Sequence, residues 1–130
     1  MKIDHIAIWC KDIEEMRDFY ETYMLGESSE LFTGEDTSFQ SYILSFPKSD
    51  CKLKLMYKQD IDKFHKDKRF GLAHLSFKLD SQNAVDDLTA LIGNGGYKVY
   101  STPHVDETGQ YSSLVIDVEG NIIQLIANYT

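Results

Sequence analysis

The sequence predicts an α+β fold built from two copies of one βαβββ module, and three observations indicate it. Strand-like alternation of apolar and polar residues is followed by an amphipathic helical pattern and further strands, and this succession occurs twice. The 130 residues, 42% of them hydrophobic, suffice for a core of their own. Landmark residues recur 69 positions apart, namely His5 with His74, Asp12 with Ser81, and Gly26 with Gly95. We therefore expect a single duplicated domain, with modules at residues 1–58 and 70–130 joined by a charged connection at 59–69.

The first module begins with a strand at residues 2–10, whose alternation places His5, Ala7 and Trp9 on one face. Asp12 is a suitable N-cap for a helix over residues 12–24, which Leu25-Gly26 ends because glycine is favoured just past a helix. The apolar stripe of this helix is Ile13, Met16, Tyr20, Tyr23 and Met24. Three strands are predicted to follow, at residues 29–32, 40–46 and 52–57.

The second module repeats this order. A strand at residues 72–79 precedes a helix capped by Asp80 or Ser81, with Val85, Leu88, Leu91 and Ile92 as its apolar stripe and Gly95-Gly96 at its end. Strands follow at residues 98–102, 111–118 and 121–127. The tract 103–110 is expected to be a loop. A tight turn at Glu119-Gly120-Asn121 separates the last two strands, because Gly and Asn accept the positive φ that such turns require.

Charge and cysteine content narrow the class of protein. The net charge of −8 disfavours a nucleic-acid partner, since binding to phosphates needs clustered Lys and Arg. No signal peptide and no apolar run long enough to span a bilayer is found, so no membrane association is expected. Two cysteines do not form a disulfide framework. We expect a cytoplasmic protein with free thiols and a small-molecule ligand.

Four polar side chains occupy equivalent positions in the two modules. His5 and His74 lie on the first strands, and Lys54 and Gln124 on the last, 70 positions apart. A single inward histidine would be a polar residue tolerated on a strand. Two at equivalent positions favour a shared polar pocket. Lys54 has three interpretations: a solvated side chain at the rim, an anchor for an anionic ligand, or a base if desolvated.

Three segments together resemble the vicinal oxygen chelate superfamily, which includes glyoxalase I, extradiol dioxygenases and bleomycin-binding proteins. They are Ile3-Asp4-His5-Ile6-Ala7-Ile8 with its following helix, Leu72-Ala73-His74-Leu75-Ser76-Phe77, and the closing stretch from Asp117 to Leu125. The spacing of Leu53-Lys54-Leu55-Met56 is most similar to small bacterial glyoxalase I-like proteins. The resemblance implies curled mixed sheets around a cup-shaped cavity. It also implies a homodimer, whose cup can be built from modules of two chains.

The resemblance further implies a divalent metal (Ni, Zn, Mn or Fe) held by side chains on the first and last strands. The corresponding residues are His5, Lys54, His74 and Gln124, and the Lys54 and Gln124 positions are usually glutamates in the glyoxalase I-like proteins. A protonated lysine has no lone pair for a metal, and an amide cannot act as a base at neutral pH. The metal ligands would then be His5, His74 and Gln124, or the protein would have no cofactor.

Two functions follow from the resemblance. The first is a glyoxalase-like lyase or isomerase, similar to lactoylglutathione lyase, with Lys54 and Gln124 as catalytic candidates beside the metal. The alternative is a metal-free protein that binds or sequesters a small molecule in the same cup. In either case the candidate ligand-binding residues are Trp9, Tyr42, Lys54, Tyr100 and Tyr111, the aromatic ones as walls for a planar or apolar ligand.

Overall fold

The computed structural model describes residues 1–35, 38–59 and 71–129. The chain divides into two compact units, unit 1 from Met1 to His65 and unit 2 from Lys66 to Thr130. The division falls inside the expected charged connection, of which residues 60–69 lie outside the described residues. The described residues of each unit form one sheet and one helix, as the α+β class predicts. No helix in the described ranges is long and apolar enough to cross a membrane.

Unit 1 forms a five-stranded mixed sheet in the order β1-β5-β4-β2, with β3 also paired to β4. The strand β1 runs parallel to β5, and the other pairs are antiparallel. The elements are β1 (His5–Trp9), α1 (Ile13–Tyr23), β2 (Glu27–Ser28), β3 (Phe32–Thr33), β4 (Gln40–Ser45) and β5 (Lys52–Tyr57). The first and last long strands of the unit are thus neighbours, which brings His5 and Lys54 onto adjacent strands.

The core of unit 1 lies between α1 and one face of this sheet. Asp12 caps the helix by accepting hydrogen bonds from the backbone amides of Glu14 and Glu15, each at 3.1 Å. The helix buries Ile13, Met16, Phe19 and Tyr20, and the sheet buries Leu44, Leu53 and Leu55. The opposite sheet face carries the alternate residues of β1 and β5, so period-2 alternation separates core residues from candidate ligand-binding residues.

The end of α1 differs from the expectation in one detail. The left-handed residue is Leu25, with φ of 58°, and Gly26 has no positive φ. Space is instead tight at Gly26, since a Cβ there would lie 3.1 Å from the carbonyl oxygen of Tyr20 and 3.3 Å from the Phe46 ring. The helix therefore ends at the predicted place, but the glycine serves close packing and not backbone freedom.

The predicted strand at residues 29–32 is wrong: β2 and β3 are two-residue strands that pair with different parts of β4. Ser29 between them explains the break. Its amide donates to the carbonyl of Ile43, while its hydroxyl accepts from the amide of Ile43 at 3.0 Å. The Ser29 hydroxyl thus replaces a backbone carbonyl as the acceptor for the Ile43 amide, so the regular backbone hydrogen bonding along β4 is interrupted.

Unit 2 forms a four-stranded sheet in the order β6-β9-β8-β7, with β6 parallel to β9. Its elements are β6 (Leu75–Lys78), α2 (Gln82–Asn94), β7 (Val99–Val105), β8 (Tyr111–Ile116) and β9 (Ile122–Ala127). The strand β6 is shorter than predicted, so His74 immediately precedes it. The strand β7 is longer, and it includes the first three residues of the tract 103–110 expected as a loop. Its register with β8 shifts at two places, and such irregular pairing is not evident from periodicity.

The core face of α2 also differs from the expected stripe. Ser81 is the N-cap, and Val85 and Ile92 are buried as predicted. Leu91 is 55% exposed, and the buried residue on this face is Thr89. The Thr89 hydroxyl donates to the carbonyl of Val85 at 2.6 Å and lies 2.7 Å from the buried Ser113 hydroxyl. The polar Thr89 can face the sheet because both hydroxyls have partners.

The turn between β8 and β9 is organised by the buried Asp117. Its Oδ1 accepts hydrogen bonds from the backbone amides of Glu119 and Asn121, both at 2.9 Å. Gly120 has φ of 92°, as predicted for this turn. The turn fixes the start of β9 and therefore the register that places Gln124.

Candidate functional site

The face of the unit 1 sheet that points away from the core, here called the open face, carries most of the candidate residues of that unit. The register pairs His5 with Lys52, Ala7 with Lys54, and Trp9 with Met56. Pairing of β5 with β4 adds Ile43 beside Lys54 and Ser41 beside Met56. These residues are consecutive same-face positions on three adjacent strands, so His5, Lys54 and Trp9 share one surface, as the alternation predicts.

His5 is oriented by its sequence neighbour. Its Nδ1 lies 2.8 Å from Oδ2 of Asp4. The hydrogen bond from His5, followed by the charge of Lys52, holds the pKa of the Asp4 carboxyl below its usual value. With Asp4 ionised, Nδ1 is the protonated nitrogen, which leaves Nε2 to accept a proton or contact a ligand.

Lys54 is a half-buried cation on the open face. Its cross-strand neighbours are Ala7 and Ile43, both apolar. Across the described ranges, no carboxylate lies within ion-pair distance of its Nζ. Lys52, by contrast, faces the Asp4 carboxylate strongly enough to lower its pKa. Lys54 is therefore a positive charge without a protein counterion in the described structure, which is unusual for a partly desolvated lysine.

An open cavity of about 490 Å³ lies at one end of this face. Ile43 is the one apolar residue among those that line it. The polar residues are Asp4, His5, Glu27, Ser28, Ser29, Ser45 and Lys52. Lys54 is one same-face position further along β5 from Lys52, about 7 Å at the rise of a strand. The cavity therefore offers hydroxyls, an imidazole and charges of both signs next to the unpaired lysine.

Three aromatic rings lie at the opposite end of the open face, and we call them the aromatic cluster: Trp9, Phe32 and Phe39. The Trp9 and Phe39 centroids are 6.4 Å apart with the rings nearly perpendicular, and those of Phe32 and Phe39 are 6.2 Å apart. The residues predicted from the sequence include Trp9 but neither phenylalanine, because Phe32 and Phe39 lie in or beside a loop. Extending the alternation of β4 back from Ile43 and Ser41 to Phe39 would have found one of them.

In unit 2 the corresponding polar residue is already engaged. Gln124 lies opposite Ser76 in the parallel pair β6 and β9, and the Ser76 hydroxyl donates to Oε1 of Gln124 at 2.8 Å. His74 is exposed and immediately precedes β6. Ser76, Lys78 and Gln124 share a face that points away from α2, as the alternation predicts. Gln124 thus presents an amide whose oxygen has a hydroxyl partner.

Two tyrosines predicted to line the ligand site lie on the core side of their sheets. Tyr42 is 5% exposed; its hydroxyl donates to Glu14 at 2.7 Å and accepts from Arg17 at 3.2 Å. Burial, and then that bond to Glu14, raises the pKa of Tyr42. It therefore joins α1 to β4 and does not face the open surface. The sequence gives no face assignment for Tyr42, because Tyr42-Ile43-Leu44 is apolar throughout and shows no alternation.

Tyr111 lies on the core side of the unit 2 sheet. It pairs with the buried Ala127, and its hydroxyl donates to Oδ1 of Asp86 on α2 at 2.5 Å. This hydrogen bond raises the pKa of Tyr111. Tyr100 is 53% exposed beside the register shift of β7, with Nζ of Lys98 5.5 Å from its ring centroid. Of the three predicted tyrosines, Tyr100 is the most exposed.

Comparison with protein families gives a match over residues 4–112 to the model for the glyoxalase/bleomycin resistance protein/dioxygenase superfamily. The chain belongs to this superfamily. The match covers unit 1 from residue 4 onward and most of unit 2, so the predicted membership is confirmed. A search of curated proteins gave no significant match.

Solved structures show the same superfamily fold. A glyoxylase/bleomycin resistance protein/dioxygenase domain from Frankia sp. EAN1pec is similar with a TM-score of 0.84, 14% identity, and coverage of 99% of this chain and 98% of that one. The glyoxalase family protein from Enterococcus faecalis is similar with a TM-score of 0.78, 19% identity and coverage of 96% of both chains. Glyoxalase I from Zea mays is similar with a TM-score of 0.79, 20% identity, and coverage of 96% of this chain and 44% of that one. At these identities the likeness establishes the fold, and the predicted fold class is confirmed.

The donor set does not fit the divalent metal implied by the resemblance to the superfamily. Within either unit, the described residues contain no group of three or more His, Cys, Asp or Glu side chains that could hold a metal ion. Lys54 places an ammonium where a carboxylate is expected, and a cation there repels a metal. Gln124 is uncharged and its oxygen already accepts a hydrogen bond from Ser76. Two imidazoles and one amide make a weaker site than two imidazoles and two carboxylates.

Proposed function

We propose that this protein is a metal-independent, small-molecule-binding member of the superfamily, and that Lys54 anchors an anionic group of its ligand. The observation that carries the proposal is the half-buried Lys54 with no ion-pair partner in the described part of the chain. A partly desolvated ammonium is stabilised when an anion supplies the missing charge. The unpaired cation therefore favours a carboxylate, phosphate or similar group as the ligand's polar end.

The surroundings of Lys54 support a small ligand. The adjacent cavity of about 490 Å³ lies within the range of small-molecule sites. Its serine hydroxyls and the His5 imidazole can orient polar groups of a bound molecule. The whole chain carries a net charge of −8, so long-range attraction does not explain anion binding and a local cation is needed.

The test compares anion binding by the wild type with that of Lys54→Met, which keeps the apolar stem and removes the charge. Acetate, benzoate and inorganic phosphate are titrated at constant ionic strength while thermal unfolding is followed. At ten times Kd, a bound anion stabilises the wild type by about 1.4 kcal/mol. That corresponds to a shift in Tm of several degrees. We expect Lys54→Met to lose this shift and Lys54→Arg to retain it.

Lys2→Met is the matched control. Lys2 is in the same unit, its side chain is exposed, and its contact with Asp50 at 3.5 Å is a surface ion pair of little energetic weight. The Lys2→Met substitution removes one positive charge, as Lys54→Met does, but leaves the open face unchanged. Added anions should therefore stabilise Lys2→Met as much as they stabilise the wild type. Equal stabilisation of Lys54→Met and wild type by every anion would contradict the proposal.

A metal-dependent, glyoxalase-like lyase is the second candidate, and the Asp4–His5 contact favours it. Metal-binding histidines usually donate their second ring nitrogen to a carboxylate or carbonyl, as Nδ1 of His5 does to Asp4. The ligands would be His5, His74 and Gln124. Elemental analysis after exposure to Ni, Zn or Mn separates the two candidates. About one metal per chain, lost in His5→Ala, would support the lyase and overturn the metal-independent proposal.

We also propose a homodimer, as expected from the resemblance. Large apolar side chains on the described surface away from the open face support it, since Leu72 is 83% and Leu91 55% exposed. Light scattering coupled to size-exclusion chromatography measures the molar mass directly. A mass matching one chain of 14.9 kDa would contradict the dimer.

A further inference from the structure

The aromatic cluster and Lys54 together indicate the chemical class of the ligand as well as its charge. Trp9 is 46% exposed and Phe32 58% exposed, and Phe39 bridges them with ring centroids 6.4 and 6.2 Å away. The interplanar angles are 87° and 71°, the edge-to-face geometry that aromatic pairs prefer. Such a cluster can accept a further ring, because its exposed edges and faces lack the neighbours that a fully packed cluster has.

The strand register fixes the position of the aromatic cluster relative to the lysine. Trp9 pairs with Met56, and Lys54 pairs with Ala7, which are adjacent same-face pairs. Their separation along the strands is about 7 Å. Ala7 has a short side chain and lies between His5 and Trp9 on β1, so no bulky side chain of β1 separates the cation from the indole. The distance corresponds to a flat molecule with its anionic group on one side of a ring.

We propose that the ligand is a flat aromatic anion whose ring contacts Trp9 and Phe39 and whose anionic group contacts Nζ of Lys54. The anionic half rests on the proposed function, whereas the aromatic half rests on the aromatic cluster alone. Charge complementarity favours a small ligand over an apolar protein surface as the occupant. An apolar surface laid over the open face would bury Lys54 without a counterion, and that burial is costly.

The sole tryptophan makes the test direct, because Trp9 is the only one in the sequence and its fluorescence reports the open face. Three probes separate the contributions: benzoate, cyclohexanecarboxylate, which keeps the charge without the aromatic ring, and benzyl alcohol, which keeps the ring without the charge. We expect benzoate to change Trp9 emission and to bind up to about tenfold more tightly than cyclohexanecarboxylate. Benzyl alcohol should bind at least about tenfold more weakly than benzoate.

Phe39→Leu keeps an apolar side chain and removes the aromatic ring. We expect it to abolish the preference for benzoate while leaving cyclohexanecarboxylate affinity within about twofold of wild type. Tyr129→Leu is the control, since Tyr129 is 55% exposed and lies after the last strand. It should preserve the preference for benzoate.

The two proposals fail in different ways. Equal, Lys54-dependent binding of both carboxylates would overturn the aromatic ligand and leave anion binding intact. Carboxylate binding that is unchanged in Lys54→Met would overturn both proposals. A Trp9 emission that is blue-shifted and inaccessible to acrylamide in the ligand-free protein would show that protein covers the aromatic cluster, which would also overturn the aromatic ligand.

Discussion

The Ser76 hydroxyl donates a 2.8 Å hydrogen bond to Oε1 of Gln124 across the parallel strands β6 and β9. This contact stabilises an amide at a position where the superfamily resemblance implies a carboxylate. A glutamate there would accept the same hydrogen bond and retain a negative charge for a metal. Ser76 thus supplies a hydrogen-bond donor to the amide that replaces the implied glutamate at position 124. The glutamate implied at position 54 is replaced as well, by Lys54.

Asp117→Ala should destabilise unit 2. The substitution removes the acceptor for the backbone amides of Glu119 and Asn121, which are left without their hydrogen bonds in the turn before β9. Loss of such buried bonds costs about 1–3 kcal/mol in the free energy of unfolding, measured by urea denaturation. Asp50→Ala is the control, since that carboxylate is 85% exposed and should change stability by less than about 0.5 kcal/mol. An unchanged midpoint for Asp117→Ala would contradict this role.

Asp106 should make the free energy of unfolding depend on pH in the acidic range. Hydrogen bonds from the hydroxyls of Thr108 and Ser112 lower the pKa of this carboxyl to about 2. Because the folded-state value is depressed, the stabilisation is present above the unfolded-state pKa of about 4 and is lost as pH falls toward 2. Wild type and Asp106→Asn should therefore differ in unfolding midpoint near neutral pH and converge between pH 4 and 2. A difference independent of pH would contradict the assignment.

Leu25→Gly should stabilise the protein by about 0.5–1 kcal/mol, since glycine adopts φ of 58° without the penalty paid by a leucine. Leu25 is 69% exposed, so little burial is lost. The adjacent Gly26→Ala gives the opposite expectation, because its Cβ would lie 3.1 Å from the Tyr20 carbonyl oxygen. Thermal unfolding of both variants distinguishes backbone strain from close packing at this helix end. Stabilisation by Gly26→Ala would show the assignment to be reversed.

The repeat predicted the fold well because its landmarks are local. Helix caps at Asp12 and Ser81 and alternation in β1, β5 and β9 are encoded within a few residues of each position. The edges of the sheets were less predictable. The break at Ser29 depends on a hydrogen bond to Ile43, and the register shifts of β7 depend on its pairing with β8. Such contacts between distant residues leave no period in the sequence.

The candidate site was predictable where alternation is clear. His5, Lys54 and Trp9 lie on one face as expected, since polar and apolar residues alternate in β1 and β5. Tyr42 and Tyr111 lie on the core side of their sheets, which the sequence does not indicate because uniformly apolar or small neighbours do not show which face is buried. The aromatic cluster was missed because Phe32 and Phe39 belong to a short strand and a loop, where only tertiary packing brings rings together.

The parallel pairing of β1 with β5 also affects how the protein is made. The strand β1 is synthesised first in unit 1, yet its partner β5 is the last described strand of the unit to be translated. At ribosomal rates of about 5–20 residues per second, His5–Trp9 waits roughly 2–10 s for that partner, with Ile6 and Ile8 unpaired. The strand that carries His5 and Trp9 is thus exposed to mispairing on the ribosome. Each unit repeats this delay, since β6 also pairs with the last strand of its own unit.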